Sequence, residues 1–226
     1  MESFQTIYQR AAERKGGEKA LLAMLGKPRT NNALKKIPDE RYLAEMTKKV
    51  FQSGFVWRVV ENKWKNFEEV FFQFNIDKIL MMPPEMVERK ASDERIIRNL
   101  RKVKTIQNNA LFISDIRREY GGFGQWLNEF PSEKITDLWL ALKQRGDRLG
   151  GNTGPYFLRT VGKDTFLLSR DVEAYFRTRD LISGGLTTKN SLAKIQDVFN
   201  HWADESGMSM QQLSQIVAFG IGENYL

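Results

Sequence analysis

The chain has 226 residues, 41% of them hydrophobic, which is enough for one large domain or two small lobes and excludes disorder as the default state. Its formal net charge of +7 favours an anionic partner such as nucleic acid, because lysines and arginines gain free energy by releasing counterions from phosphates. The chain has no cysteine and a single histidine, His201, which excludes disulfide bonds and an ordinary zinc site. It also lacks a long apolar run, which predicts a cytoplasmic protein with no membrane contact.

Apolar residues recur at helical spacing along nearly the whole chain. One series covers Leu43–Trp57 and a second covers Ile97–Ile113. Such spacing predicts amphipathic helices, and glycines and prolines divide the chain into about ten of them. We therefore predict an all-α protein of two helical lobes with a cleft between them. The run Thr165–Leu168 has an extended character but is too short to build a sheet.

The most informative segment is a glycine-rich turn between two predicted helices, over residues 135–162. The glycines permit positive φ and a close backbone approach. Free N–H groups at the start of the second helix, with the positive end of its dipole, predict a site for a DNA phosphate. The alternative is a plain corner between two helices. The residues assigned to the phosphate site are Arg145, Arg148, Gly150, Gly151, Asn152, Thr153 and Gly154.

An aspartate follows this hairpin. Gly162 ends the second hairpin helix, and the apolar run Thr165–Leu168 then brings Asp171 to the start of a further helix. A carboxylate at this position complements the helix dipole or caps the helix. It could also serve as a catalytic group, and the two interpretations are compatible.

Three further segments precede the hairpin in order: Phe51–Val60 (FQSGFVWRVV), Phe71–Asn75 (FFQFN) and Ile96–Val103 (IIRNLRKV). Together with the hairpin they resemble the bacterial 3-methyladenine DNA glycosylase I family, within the helix-hairpin-helix DNA glycosylase superfamily. The extensions at residues 1–38 and 187–222 resemble those of a longer branch. The resemblance implies a helix-hairpin-helix glycosylase fold and, as partner, double-stranded DNA that contains alkylated bases.

The resemblance also implies roles for single residues. A glycosylase flips a nucleotide out of the duplex, stacks its base in a pocket and stabilises a sugar cation as the glycosidic bond breaks. Trp57 would be the stacking face, with Phe55 or Tyr42 nearby, although a core position is the alternative for this tryptophan. Asp171 would be the carboxylate near the sugar, with Glu45 the next candidate. No lysine occupies the superfamily's lyase position, which implies a monofunctional hydrolase, and we expect a monomer without a cofactor.

The chain departs from the family in two respects. The best-studied members bind a structural zinc through Cys and His, and this chain lacks those ligands. Members also place a glutamate about eight residues before the tryptophan that corresponds to Trp57, where this chain has Lys49 or, with one gap, Val50. In the base pocket, Lys49 would repel a cationic 3-methyladenine, unless Glu45 pairs with it. Two alternatives therefore stay open: a catalytically weak or inert DNA-binding protein of the same fold, and a basic helical protein that never meets DNA.

Overall fold

The computed structural model describes residues 2–221, so one end of each extension named above lies outside the described residues. Within them the chain forms fourteen α-helices and no β-strand, which confirms the predicted all-α class. Short 3₁₀ helices occur at Phe72–Phe74 and Ser132–Lys134. The α-helices are α1 (Phe4–Arg14), α2 (Glu18–Met24), α3 (Asn31–Lys35), α4 (Asp39–Gln52), α5 (Trp57–Val70), α6 (Ile76–Leu80), α7 (Pro84–Ala91), α8 (Leu100–Tyr120), α9 (Phe123–Asn128), α10 (Ile135–Arg145), α11 (Thr153–Val161), α12 (Arg170–Thr178), α13 (Lys189–Ser206) and α14 (Met210–Phe219).

The structure has more helices than the sequence predicted because several are short. α2, α3, α6 and α9 have seven, five, five and six residues, and hydrophobic periodicity becomes visible only over a longer window. The apolar series Leu43–Trp57 is also divided in two. α4 ends at Gln52, Gly54 adopts a φ of +77°, and Trp57 opens α5. A glycine adopts such a φ at no steric cost, which allows the chain to turn here.

The chain divides into two compact units. The central unit consists of Thr30–Phe130 and Leu138–Val161. The terminal unit consists of Met1–Arg29, Pro131–Asp137 and Gly162–Leu226. Across residues 2–221, no helix is both long enough and apolar enough to cross a membrane.

The central unit is built around α4 and α8. α4 packs against α5, α8 and α11, while α8 also packs against α6, α7 and α9. The helical spacing within α8 places Val103, Ile106, Ala110 and Ile113 on one buried face, as the sequence predicted. An aromatic cluster fills the space between these helices, formed by Tyr42, Phe112, Phe123, Trp126 and Phe157.

The terminal unit packs α1 against α2, α13 and α14, and α12 against α14. Its core is rich in aromatic side chains, and the rings of Phe166 and Phe199 stack with 4.3 Å between their centroids. The Asp164 carboxylate accepts the first two N–H groups of α14, where negative charge complements the helix dipole. The run Thr165–Leu168 forms no strand.

Candidate functional site

A pocket of about 250 Å³ opens in the central unit beside the end of α4. Its volume lies below the roughly 300–1,000 Å³ of pockets that enclose drug-sized ligands, so it suits a single flat ring system. The lining comes from the end of α4, the turn that follows, the first residue of α5 and the start of α11. These residues are Lys49, Gln52, Ser53, Gly54, Phe55, Trp57, Asn152, Thr153 and Tyr156.

Trp57 forms the aromatic wall of the pocket. Its side chain is 48% exposed, which excludes a core position for this residue. The ring of Tyr156 on α11 meets the indole edge to face, with 5.6 Å between centroids and 89° between planes. About half of Trp57 is exposed, so part of the indole surface stays open to a flat ligand.

Lys49 is the charged residue of the lining, and it is only 9% exposed. Its Nζ donates to Oε1 of Gln52 at 3.0 Å and lies 4.9 Å from the centroid of the Trp57 ring. Nε2 of Gln52 donates in turn to Oε1 of Glu61 at 2.9 Å, which leaves the amide oxygen facing the lysine. Burial lowers the pKa of Lys49, and the nearby Glu45 carboxylate opposes this shift.

Glu45 lies one helical turn before Lys49 on α4. Its Oε2 atom is buried and has no hydrogen-bond partner among the described residues. Leaving a buried carboxylate oxygen unpaired costs free energy, and attraction to the Lys49 ammonium offsets part of that cost. Glu45 is not part of the lining, so it acts as a partial counter-charge for Lys49.

The turn after α4 carries Phe55, which is 42% exposed and lines the pocket. The buried Lys102 on α8 holds this turn. Its Nζ donates to the carbonyl oxygens of Phe51 at 3.1 Å and Ser53 at 2.7 Å, and lies 4.6 Å from the centroid of the Phe55 ring. Burial lowers the pKa of Lys102. This lysine therefore braces the turn and does not belong to the exposed face of α8.

The turn between α10 and α11 contains two residues in the left-handed region, Arg148 with φ of 59° and Gly151 with φ of 58°. The buried Asn109 on α8 fixes this turn. Its Oδ1 accepts the N–H of Asp147 at 2.7 Å and its Nδ2 donates to the Asp147 carbonyl at 3.1 Å. The turn is therefore held by α8 through Asn109, in addition to the conformations that its own glycines allow.

The glycines of this turn differ in the space that surrounds them. A Cβ on Gly154 would lie 2.5 Å from the Leu149 carbonyl oxygen, so glycine is required for α11 to approach the turn. A Cβ on Gly150 would lie 3.1 Å from the Lys143 side chain, which is flexible. A Cβ on Gly151 would meet nothing within 4 Å, so this part of the backbone is open to a ligand.

The two predicted arginines of the hairpin differ in their surroundings. Arg145 forms a double hydrogen-bonded ion pair with Glu119 on α8, at 2.7 and 3.1 Å, so its charge already has a partner. Arg148 is exposed. Asn152 and Thr153 belong both to the hairpin and to the pocket lining, which makes the two features one continuous surface.

Tyr42 does not line the pocket, which corrects the expectation from sequence. Its side chain is fully buried, and its hydroxyl donates to the carbonyl oxygen of Leu34 at 2.8 Å. Its ring packs against Phe123 and Phe157. Tyr42 is therefore a core residue, and we assign it no contact with a ligand.

Asp171 lies in the terminal unit, in the first turn of α12. The N-cap of that helix is Ser169, whose hydroxyl accepts the N–H of Val172 at 3.3 Å. Asp171 is thus positioned to complement the helix dipole. Its catalytic role stays a prediction from sequence.

Gln52 and Tyr156 line the pocket but were missed by the sequence analysis. Each lies three residues after a candidate site residue, Lys49 and Thr153 respectively, so the i, i+3 relation on one helix face could have found both. Throughout residues 2–221 no group of three or more His, Asp or Glu side chains could hold a metal ion. The described residues therefore do not fit the structural zinc that the resemblance implies for other members.

Comparison with known proteins gives consistent results. The methyladenine glycosylase family matches residues 34–147. DNA-3-methyladenine glycosylase 1 of Escherichia coli (strain K12) is 31% identical to this chain, in an alignment that covers 49% of this chain and 70% of that protein. A crystal structure of 3-methyladenine DNA glycosylase I is 25% identical, with a TM-score of 0.50 over 62% of this chain and 83% of that chain.

The fold extends beyond the segment matched by the family. The 8-oxoguanine DNA glycosylase of Methanocaldococcus jannaschii is 17% identical to this chain, with a TM-score of 0.59 over 94% of this chain and 92% of that one. At this identity the likeness concerns the fold, which is that of the helix-hairpin-helix DNA glycosylases. With the family match over half of the sequence, the conclusion is direct: the chain belongs to the methyladenine glycosylase family.

Proposed function

We propose that this DNA glycosylase of base-excision repair hydrolyses the N-glycosidic bond of alkylated purines in double-stranded DNA. The lesion named for its relatives, 3-methyladenine, is the first substrate to test. The proposal includes action as a monofunctional hydrolase, without lyase chemistry, and as a monomer. The cytoplasm is the proposed location, on the ground of the DNA substrate alone.

The observation that carries the proposal is the half-exposed indole of Trp57 in a pocket sized for one ring system. An enzyme that acts on a base in DNA must extrude the nucleotide and hold the base by stacking and hydrogen bonds. The exposed surface of Trp57 supplies the stacking face. A cationic base would gain about 0.5–2 kcal/mol more from the indole.

The hairpin supports DNA contact directly beside this pocket. The start of α11 offers the positive end of a helix dipole, which attracts a phosphate. Arg148 adds an exposed positive charge nearby, whereas Arg145 would first have to leave Glu119. Contacts of this type hold the backbone and carry no sequence information, so affinity should depend on salt and hardly on sequence.

The test is base release from methylated duplex DNA by the purified protein, with the released bases separated and identified by chromatography. We expect a methylated purine to be released in proportion to protein concentration, and strand breaks to form only after alkali treatment. Strand breaks without alkali would contradict the monofunctional mechanism.

A second candidate function is DNA binding with little or no excision. Lys49 favours it, because a positive charge in the pocket repels a cationic base. Salt-dependent binding of duplex DNA without release of any alkylated base would support this candidate and overturn the first.

A further inference from the structure

The pocket presents an ammonium group to any base that enters it. Nζ of Lys49 lies 4.9 Å from the centroid of the Trp57 ring, and a base stacked on that ring would lie about 3.5 Å above it. Because Lys49 and Trp57 line the same pocket, a base held against the indole there would have Nζ as a neighbouring group. An ammonium has three N–H donors, of which Gln52 accepts one, so donors remain for the ligand.

A neutral base and a cationic base need different chemical groups in such a pocket before they can leave the sugar. The cationic form of an alkylated purine departs as a neutral molecule when the glycosidic bond breaks, and it needs no proton from the enzyme. A neutral alkylated purine departs as an anion unless a proton reaches one of its ring nitrogens first, and an acid placed at the base accelerates this departure. An ammonium repels the first and can protonate the second.

We propose that Lys49 is the general acid that protonates the leaving base, and that it adapts the pocket to neutral alkylated purines in preference to cationic ones. This inference rests on the proposed glycosylase function, whose substrate class it narrows. In the step, a proton moves from Nζ to a ring nitrogen of the base. The C1′–N bond breaks with its electron pair on the base, and water adds to the sugar cation. The proton released by that water returns to the neutral amine through solvent, so the sum is hydrolysis.

The surrounding side chains position Nζ for this step. Gln52 is 2% exposed, and its amide is oriented because Glu61 accepts its N–H while its oxygen accepts from Lys49. The other carboxylate oxygen of Glu61 binds Nζ of Lys48 at 2.8 Å. The chain of contacts runs from the pocket to the surface, and it holds Gln52 as a positioning residue.

The protonation of Lys49 depends on the groups that face it. These are Glu45 and Lys48 on α4, Glu61 on α5 and Tyr156 on α11. Burial lowers the pKa of Lys49 despite the two carboxylates, and a less basic amine releases its proton to a base more readily. As pH rises through this lowered pKa, the ammonium is lost, so excision of a neutral base should fall and repulsion of a cationic base should relax.

The experiment measures single-turnover base release from two duplexes, one with ethenoadenine as the neutral alkylated purine and one with 7-methylguanine as the cationic one. Wild type is compared with Lys49→Met, which keeps an unbranched side chain, one atom shorter, and removes the charge. Lys65→Met is the matched control, since it removes the same charge from an exposed position on α5 outside the pocket lining. Melting temperature and duplex affinity are recorded for each protein.

We expect Lys49→Met to slow release of ethenoadenine by about 100-fold or more and to speed release of 7-methylguanine by about tenfold. Lys65→Met should leave both rates close to those of wild type. If Lys49→Met does not fold, Gln52→Glu provides the test: a carboxylate beside Lys49 raises its pKa, so the fall in ethenoadenine release should move to higher pH.

The outcomes separate this inference from the function on which it rests. Release of 7-methylguanine by wild type without release of ethenoadenine overturns the role of Lys49 and leaves the glycosylase function intact. Equal effects of Lys49→Met on both lesions, or a pH profile that Gln52→Glu does not move, also overturn it. Release of neither base, and of no 3-methyladenine from methylated duplex DNA, overturns the proposed function, and the inference fails with it.

Discussion

Two lysines in the central unit are buried, and their partners give them different roles. Nζ of Lys49 has a side-chain partner, Gln52, and faces the pocket. Nζ of Lys102 donates to backbone carbonyls at and just beyond the end of α4. A cation near a helix C-terminus is stabilising because it meets the carbonyls that have no partner within the helix. Sequence alone does not separate these two cases, since both residues lie in basic, helical segments.

Replacement of Lys102 by methionine should destabilise the protein by about 1–3 kcal/mol, because buried carbonyl oxygens lose their donor. Lys104→Met is the matched control, since Lys104 is exposed on the same helix and should change stability by less than about 0.5 kcal/mol. Urea denaturation measures both. Equal stability of the two variants would show that Lys102 does not brace the turn that carries Phe55.

Asp171→Asn separates a structural from a catalytic role for that carboxylate. Ser169 holds the N-cap of α12, so the substitution should cost less than about 1 kcal/mol, from weaker interaction with the dipole. Asparagine cannot stabilise a sugar cation or act as a base toward water, so base release should fall by about 100-fold or more. Thermal melting and single-turnover release are measured on the same preparation. A folded variant that releases base at the wild-type rate would make Asp171 a helix-start residue only.

At the scale of elements, the hairpin was located from its glycines and the flanking periodicity, and helices α10 and α11 flank the predicted turn. Its anchoring was not predictable, because Asn109, which holds Asp147, lies far away in sequence. The same limit applies to the pocket. Periodicity placed Tyr42 and Lys49 on one helix, but the packing of α4 against α11 decides which of them is core and which is lining.

The open backbone at Gly151 predicts a specific effect on DNA binding. Gly151→Val places a branched side chain where a phosphate would approach, and duplex affinity should fall by about tenfold with a reduced salt dependence. Gly207→Val is the matched control: Gly207 also has positive φ and open space around its Cβ, and each change costs about 1–2 kcal/mol of backbone strain. Equal duplex affinity of the two variants would show that the hairpin is only a corner.

At the scale of the whole molecule, the chain differs from the zinc-binding members of the family in its composition. It has no cysteine and one histidine. Both units instead have apolar cores rich in aromatic side chains. We expect exhaustive chelation with EDTA to leave the melting temperature unchanged, because metal binding that contributes to folding is lost when the metal is removed. A chelator-induced fall, restored by adding zinc, would reveal carboxylate ligands.

The fold class and the order of motifs were predictable because helical periodicity and glycine-rich turns are local features of sequence. The class of partner was also predictable, because a net charge of +7 favours binding to a polyanion. The division of the chain was harder to foresee. The terminal unit combines both ends of the chain with the short segment Pro131–Asp137, a pairing that depends on tertiary packing and leaves no local signal.

If the exposed indole of Trp57 holds the base during excision, removal of the indole should slow base release. Single-turnover base release from alkylated duplex is compared between wild type, Trp57→Ala and Val59→Ala, the last being an exposed apolar residue of the same helix outside the pocket lining. We predict that Trp57→Ala releases base roughly 5- to 150-fold more slowly, since stacking contributes about 1–3 kcal/mol per base, while Val59→Ala stays close to wild type. Release at the wild-type rate by a folded Trp57→Ala protein would contradict the account.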